Sequence, residues 1–448
     1  MIEPKDMQVV VLMGGLGTRL KEFTQERPKS LVEVEGRPFF DYQLDLMIQW
    51  GFCKFVFLIG YRADMIEDYY QDGSTRGISI QYCYDGETLL GTGGAVRRAY
   101  DYLEDDFILM YGDSFMDIDF EETLYRYEKG KQQGMQGLMT VLKNNNQFDK
   151  SNAHVEDGQL VLYDKHHPTP KMAYIDYGIC LYEKKLFSVY EKNVKFDVAE
   201  IQNSLSVSGK MVAHVVTKRF YEIGSPTALA EFQRYVCKRF HEYHPAVFLD
   251  RDGVLNEIVF NEDTEQMDSP LKISEFVLFD KVSNALKIMK EKGYHIFVVT
   301  NQPAAAKGKT TLAKLYDINT YFVELLKEQG AEVDDIFMCP HFTKKLPMTK
   351  EEFLIADCDC RKPKPGLLLR AKEKYRINWE ASYMIGDSYT DIAAGKTAGV
   401  NTIFIGNFKC DSCKQLEGNK PDMIFSDIYL FAKWLPIYED NDNRARYN

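Results

Sequence analysis

Strand-length apolar runs that alternate with amphipathic helical stretches limit the folds open to this chain. Residues 8–13 (QVVVLM), 54–59 (KFVFLI), 107–111 (FILMY), 246–249 (AVFL) and 295–300 (HIFVVT) are almost wholly apolar. That is how strands covered on both faces of a sheet read. Between them, residues 38–50 set Phe40, Leu44 and Met47 on one helical face, with Gly51 as a C-terminal cap. Residues 283–292 repeat the pattern with Ala285, Leu286 and Met289 before Gly293. The alternation predicts an α/β chain of parallel sheets with helices on both sides.

At roughly 100–200 residues per domain, 448 residues make two or three domains. The polar, basic stretch 238–245 (KRFHEYHP) runs directly into a new strand, so the expected division is 1–237 and 245–436. Both parts are expected to be Rossmann-like, and 437–448 reads as a solvated tail. Lys and Arg number 55 against 67 Asp and Glu, a net charge of −12, which argues against non-specific binding of nucleic acid or anionic membrane. It leaves room for phosphorylated substrates, which need only a local cluster of donors. No apolar run nears the ~20 residues of a membrane span. The first eight residues carry Glu3, Lys5 and Asp6 rather than the apolar core of an export signal, so the expected setting is the cytoplasm. The nine cysteines then read as thiols or metal ligands.

The first strand runs into Gly14-Gly15-Leu16-Gly17-Thr18-Arg19-Leu20. Glycines let backbone N–H groups face a phosphate chain without Cβ clashes. A dinucleotide loop needs a third glycine where Leu20 stands, and a Walker A loop needs G-K-[ST], which this loop lacks. The remaining pattern, G-G-x-G-T-R-L followed by Pro28-Lys29, resembles that of the sugar-phosphate nucleotidyltransferases. The likeness spans nearly all of residues 8–232: LGTGGA at 90–95 resembles the base-binding segment, and Gly112-Asp113 ends the strand where that family keeps a metal-binding aspartate. Glu222-Ile223-Gly224-Ser225-Pro226 resembles D-I-G-T-P, a second acidic ligand. The resemblance implies attack by a sugar 1-phosphate oxygen on the α-phosphorus of a nucleoside triphosphate, with loss of pyrophosphate. Gly14, Gly15, Gly17, Thr18, Gly91 and Thr92 would line the nucleotide site. Arg19 would hold the β- and γ-phosphates, and Lys29 would offset charge at the α-phosphate. Asp113 and Glu222 would hold Mg²⁺, and Lys165 would meet the sugar phosphate. Glu87 could accept from the guanine N1–H and N2–H₂ edge, which favours GTP.

The second half opens on Asp250-Arg251-Asp252-Gly253-Val254 directly after an apolar strand. Thr300-Asn301, Lys362 and Gly386-Asp387 follow in order, the last with Asp391 close behind. This series over 246–406 resembles the haloacid dehalogenase (HAD) phosphatases. Asp250 would attack phosphorus, and Asp252 would act as acid and then base. Thr300, Asn301 and Lys362 would hold the phosphoryl oxygens, and Asp250, Asp252 and Asp387 would hold Mg²⁺.

Cys339-Pro340-His341 and Cys358-Asp359-Cys360 form C-x-H…C-x-C, three thiolates and an imidazole suited to a closed, structural Zn²⁺ site. With Arg361-Lys362-Pro363 behind it, the pattern resembles a zinc-bearing HAD subgroup that contains D-glycero-D-manno-heptose 1,7-bisphosphate 7-phosphatases and histidinol-phosphate phosphatases. In that subgroup Arg361 would meet the distal C1 phosphate. Lys307 stands where the heptose enzymes carry arginine, with the charge but not the two-pronged geometry. The C-x-x-C of Cys410 and Cys413 reads as plain thiols.

A phosphatase that frees a sugar 1-phosphate and a transferase that uses one make a coherent bifunctional enzyme leading to GDP-heptose. The alternatives are a mannose or N-acetylmuramate type of transferase joined to a histidinol-phosphate or other phosphomonoester phosphatase, and a nucleotide sensor that regulates a phosphatase.

Overall fold

The structure, a computed structural model, describes residues 2–15, 20–86, 88–262, 265–406 and 419–438, with side chains omitted at 21, 22, 261 and 266. The chain divides into two compact units, Met1–Cys237 and Lys238–Asn448.

The first unit is built on a nine-stranded sheet. In spatial order its strands are Ser79–Tyr84, Lys54–Ile59, Gln8–Leu12, Asp106–Tyr111, Tyr174–Glu183, Gly137–Lys143, Met211–Val216, Gln159–Tyr163 and Ala153–Glu156. The first four are parallel, as the alternation predicts. The sheet as a whole is mixed, which corrects the expectation of parallel strands throughout. Tyr174–Glu183 is antiparallel to both its neighbours, and Ala153–Glu156 and Gln159–Tyr163 form a hairpin. The signal for that hairpin stood in Asp157-Gly158, whose φ values of 48° and 73° suit a two-residue turn matched to the twist of paired strands. Both faces of the parallel part are covered. Phe57 meets Phe40 of helix Phe39–Gln49 edge-on at 5.7 Å, while Val56 and Leu58 pack with Val96 and Ala99.

The second unit has a six-stranded, wholly parallel sheet. Its order is Asp335–Cys339, His295–Asn301, His244–Leu249, Ile377–Gly386, Asn401–Ile405 and Met423–Phe425. Phe248 and Phe297 pack on one face with Leu367 and Leu368; Val247, Leu249 and Val298 pack on the other with Leu286, Met289 and Phe322. Tyr438 is docked rather than solvated: its N–H donates to the Lys292 carbonyl at 2.9 Å. The rest of the expected tail, 439–448, lies outside the described residues.

Helix Phe120–Gln132 is tied to the first sheet by a buried charge. Glu122 lies 2.7 Å from Arg126 and 3.2 Å from Nε2 of His214, which sits on strand Met211–Val216. Burial pushes the Glu122 carboxyl up, but the Arg126 and His214 charges outweigh it and hold it down at about 2. A carboxyl lowered by folding stabilises the folded state above its unfolded pKa, and that stability is lost as pH falls toward the folded value. The first unit should therefore lose on the order of 3 kcal/mol through this group between about pH 4.5 and 2. Urea unfolding at stepped pH checks this, and Glu122→Gln should flatten the step.

Candidate functional site

In the first unit the carboxyl ends of the parallel strands surround a cavity of about 260 Å³. Open α/β sheets bind ligands at that edge. Gly14, Gly15, Lys29, Ser30, Asp85, Gly91, Thr92 and Asp113 line it, so six of the residues singled out from sequence share one space. The Lys29 ammonium lies 2.8 Å from Asp113 Oδ2. Glu222 sits opposite Ser114 in a short antiparallel pair, and the Ile223 N–H donates to the Asp113 carbonyl at 3.0 Å. Backbone pairing thus brings the two segments that carry the expected acidic residues together, and carboxylate oxygens suit Mg²⁺. Gly17, Thr18, Arg19 and Glu87 lie outside the described residues, as do Cys410 and Cys413.

Not every expected residue faces the cavity in the expected way. Gly91 has a φ of +72°, and a Cβ there would meet the Phe196 carbonyl oxygen at 2.6 Å. The Gly93 and Gly94 N–H groups both donate to that carbonyl. The glycines of LGTGGA therefore seat a helix on the 196–198 segment. The Thr92 hydroxyl donates to Asp197 at 2.9 Å, and Asp197 pairs with the half-exposed Lys165 at 3.1 Å. Lys165 lies on this chain of contacts and is not among the cavity-lining residues.

Asp85 was not singled out by sequence. It follows strand Ser79–Tyr84, and its carboxylate occupies a notch where a Cβ on Gly14 would come within 2.1 Å of it. The residue is only 8% exposed, and no donor among the described residues reaches its carboxylate. Burial raises its pKa, with Arg98 opposing. A carboxylate on a cavity wall that has no donor among the described residues can accept from a ligand.

In the second unit the central strand His244–Leu249 delivers Asp250 to its carboxyl edge. Asp250, Asp387 and Asp391 converge there, with ligand oxygens within 4.8 Å of one another. Lys362 is buried among them, 2.9 Å from Asp250 Oδ1 and 2.6 Å from Asp391 Oδ1. Burial and the Asp391 charge raise Asp250, and the same two causes push Asp387 up to about 6. Lys362 is pushed up despite its burial, because both carboxylates favour its charge. Three carboxylates facing one ammonium leave negative charge that a hard divalent cation would balance.

The Asp252 side chain is not part of that group of oxygens, although Asp252 was expected with Asp250 and Asp387 around Mg²⁺. Arg251 donates to both of its oxygens at 3.0 and 3.2 Å, Asn256 adds a donor at 3.0 Å, and Gln302 adds another at 2.6 Å. Burial alone would push Asp252 up, but the Arg251 charge and these donors hold it below its ordinary value. Arg251 is fully buried, and its other arm donates to Asn319. The Asn301 amide exchanges two hydrogen bonds with the Lys362 backbone, each 3.0 Å, so it positions the lysine directly. Thr300 is buried, and its hydroxyl accepts from Gln302. Arg251, Gln302 and Asp391 carry this geometry without an assigned role in the motif reading. Their sequence signal was adjacency to motif residues alone.

The four Cys/His side chains do converge. Cys339 Sγ lies 3.1 Å from Cys360 Sγ and 3.6 Å from Cys358 Sγ, and His341 Nδ1 lies 3.3 Å from Cys360 Sγ. An ion with about 2.3 Å bonds to sulfur sets tetrahedral sulfur ligands about 3.8 Å apart, so this cluster could hold a metal of that kind. Arg361, directly after it, donates from Nη1 to the His341 carbonyl at 3.2 Å. The Lys307 ammonium lies 4.9 Å from the Phe342 ring centre and the Arg361 guanidinium 5.6 Å from it. Burial and the charges of Lys309 and Arg361 lower the Lys307 pKa.

These two centres define the class of protein: a phosphoryl-handling chain with one nucleotide-type cavity and one aspartate–lysine hydrolase centre. Residues 8–239 match the nucleotidyl transferase family and residues 359–430 match the HAD-hydrolase-like family. The chain belongs to the nucleotidyl transferase family and joins to it a HAD phosphatase, making a bifunctional enzyme. It is 34% identical over 165 residues to a D-glycero-α-D-manno-heptose-1,7-bisphosphate 7-phosphatase of Photorhabdus laumondii, spanning 37% of this chain and 84% of that one. Over 158 residues it is 37% identical to the D-glycero-β-D-manno-heptose-1,7-bisphosphate 7-phosphatase of Escherichia coli K12, spanning 35% of this chain and 76% of that one. Over 221 residues it is 28% identical to a D-glycero-α-D-manno-heptose 1-phosphate guanylyltransferase of Campylobacter jejuni, spanning 49% of this chain and 96% of that one. No described helix is long and apolar enough to cross a membrane.

Gly253 has a φ of +83°, and a Cβ there would meet Asp387 Oδ2 at 2.2 Å. Gly253→Ala should therefore displace the carboxylate group and sharply reduce phosphatase turnover, while nucleotidyl transfer in the same preparation stays at the parent rate. Parallel phosphate-release and pyrophosphate-release assays check this.

Proposed function

We propose that this enzyme hydrolyses D-glycero-D-manno-heptose 1,7-bisphosphate at C7 and then transfers GMP from GTP to the resulting heptose 1-phosphate. The observation that carries the reading is the pairing of relatives in one chain. The product of the phosphatases it resembles has the chemistry of the substrate of the guanylyltransferase it resembles. The α-anomer is the one shared by the names of the 34% identical phosphatase and the guanylyltransferase.

In the phosphatase step an Asp250 oxygen forms the bond to phosphorus, the bond from phosphorus to the C7 oxygen breaks, and Asp252 supplies the proton to that oxygen. Water then attacks the aspartyl-phosphate, its proton returns to Asp252, and Asp250 is freed. The donors around Asp252 favour its base form, which supports its part in the second half-reaction. Its acid form would have to displace one of them. Lys362 offsets charge on the phosphoryl oxygens, with Thr300 and Asn301 beside it. Mg²⁺, held by Asp250 and Asp387 with Asp391 nearby, would supply charge neutralisation between phosphate and carboxylates. Arg361 and Lys307 are suited to the distal C1 phosphate, because among the described residues no carboxylate lies within ion-pair distance of either. Zn²⁺ is the ion whose size and softness suit Cys339, His341, Cys358 and Cys360. Four protein ligands leave it no open position, so its part would be to brace the loop before Lys362.

In the transferase step a sugar-phosphate oxygen forms a bond to the α-phosphorus and the bond to the β-phosphate bridge breaks. Lys29 and Arg19 offset the charge that moves onto pyrophosphate, and Asp113 and Glu222 would hold Mg²⁺. Lys165, through Asp197, is suited to the sugar-phosphate side. Guanine offers N1–H and N2–H₂ together, the donor pair that the Asp85 carboxylate lacks. Asp85 supports the GTP preference directly, with Glu87 beyond it in the chain.

The deciding experiment incubates the protein with Mg²⁺, GTP and heptose 1,7-bisphosphate and weighs the products. GDP-heptose, phosphate and pyrophosphate are expected; phosphate release with no nucleotide-sugar would remove the two-step reading. Asp250→Asn should abolish phosphate release and leave transfer to supplied heptose 1-phosphate intact, and Lys29→Ala should do the reverse. Loss of both activities in either folded variant would overturn the assignment of separate centres. Asp85→Ala should lower kcat/KM for GTP by about 10–100-fold, with little change for UTP. An equal fall for both nucleotides would sink its part in base selection.

A further inference from the structure

Lys307 and Arg361 come from different loops, and one aromatic ring lies between their origins in the chain. The Phe342 ring centre is 4.9 Å from the lysine ammonium and 5.6 Å from the guanidinium carbon. Its backbone is fixed on both sides: its N–H donates to the Leu354 carbonyl at 3.0 Å, and its carbonyl accepts from the Ala356 N–H at 3.1 Å. The Lys307 loop is tied to the same segment. Thr349 donates to the Ala306 carbonyl at 2.8 Å, and Gly308, with a φ of +76°, lies so close to Met348 that a Cβ would meet its carbonyl oxygen at 2.0 Å. Arg361 is held in turn by the His341 carbonyl, one residue before the ring. Lys309 is matched by Asp268 at 2.5 Å, which acts on Lys307 only from farther off; among the described residues no carboxylate lies within ion-pair distance of Lys307 or Arg361.

Two like charges brought together in a half-buried place repel each other and lose hydration, so the arrangement needs something to hold it. An aromatic face attracts a cation without neutralising it. A carboxylate would also hold the two cations, but it would compete with any anion that comes to bind. A lysine has a flexible stem and a single point of charge where an arginine would bring a planar fork, so it needs an external seat to hold a direction.

We propose that Phe342 is a positioning residue that seats Lys307 and Arg361 as a two-cation clamp for the substrate's second, non-reacting phosphate. Through that clamp it sets the preference for a sugar bisphosphate over a monophosphate. The inference rests on the bisphosphate reading above and assigns its specificity to the ring that the two cations share.

The test compares heptose 1,7-bisphosphate with the same sugar phosphorylated at C7 only, in the full-length protein loaded with its metals. Phe342→Ala should raise KM for the bisphosphate about tenfold, the scale of two partly desolvated cation–π contacts, with kcat within about twofold and kcat/KM for the C7 monophosphate nearly unchanged. Phe342→Leu fills the space without the π face and should behave like the alanine variant, and Phe342→Tyr should restore the parent KM. An equal loss on both substrates, or a leucine variant that matches the parent, would overturn the proposal. So would an unchanged preference in the alanine variant. If the parent enzyme itself shows no preference for the bisphosphate, the functional reading falls and this inference with it. If the parent prefers the bisphosphate and Phe342→Ala keeps that preference, the inference alone falls.

Discussion

A strand in a parallel sheet delivers its last residue at the same edge as its neighbours do, and the chemistry of this chain depends on that constraint. In the second unit three strands that are distant in sequence end at one place. Asp250 follows His244–Leu249, Thr300 and Asn301 close His295–Asn301, and Asp387 follows Ile377–Gly386. In the first unit Gly14, Asp85 and Asp113 follow three strands of the parallel part in the same way. Strands crossing antiparallel would have sent alternate members to opposite ends. The antiparallel strand and the hairpin of the first sheet lie beyond Asp106–Tyr111 in the strand order.

Gathering charged groups at one edge creates an electrostatic problem that the two units meet by similar means. Each sets a lysine among carboxylates: Lys29 against Asp113, and Lys362 against Asp250 and Asp391. The second lysine is fully buried, where an unpaired charge would be strongly unfavourable and a paired one is held in a single geometry. Asn301 grips its backbone and the Val299 carbonyl takes its ammonium at 2.8 Å, so its position is set from three sides. Asp252, two residues from Asp250, is set apart by a different device. The guanidinium of its own neighbour Arg251 claims it, which gives two adjacent carboxylates opposite protonation tendencies in one turn of chain.

The motifs made much of this legible. D-x-D-G, the isolated lysine before proline, G-D and the two Cys pairs each name residue types in a fixed order, and their positions follow once the strands are recognised. What stayed hidden were partners that look ordinary in sequence. Asp85 is one acidic residue among many, and only the fold shows that it lines the cavity, packed against Gly14 with no donor among the described residues. The glycines at 91, 93 and 94 read as ligand-binding, yet their local contacts are with Phe196. Phe342 belongs to no motif, yet two cations from separate loops meet its ring.

The sequence by itself determined the α/β class, the strands that carry each site, and the residue types that stand at the ends of those strands. Those follow from local periodicity and from short motifs whose spacing is rigid. Tertiary structure alone decided that the first sheet is mixed, that Asp391 joins Asp250 and Asp387 while Asp252 turns to Arg251, and that Lys307 and Arg361 share one ring. The physical reason is that these outcomes depend on which residues from distant segments share space and charge. No local pattern encodes that, because the energy that decides it is the balance of burial and pairing in the folded chain.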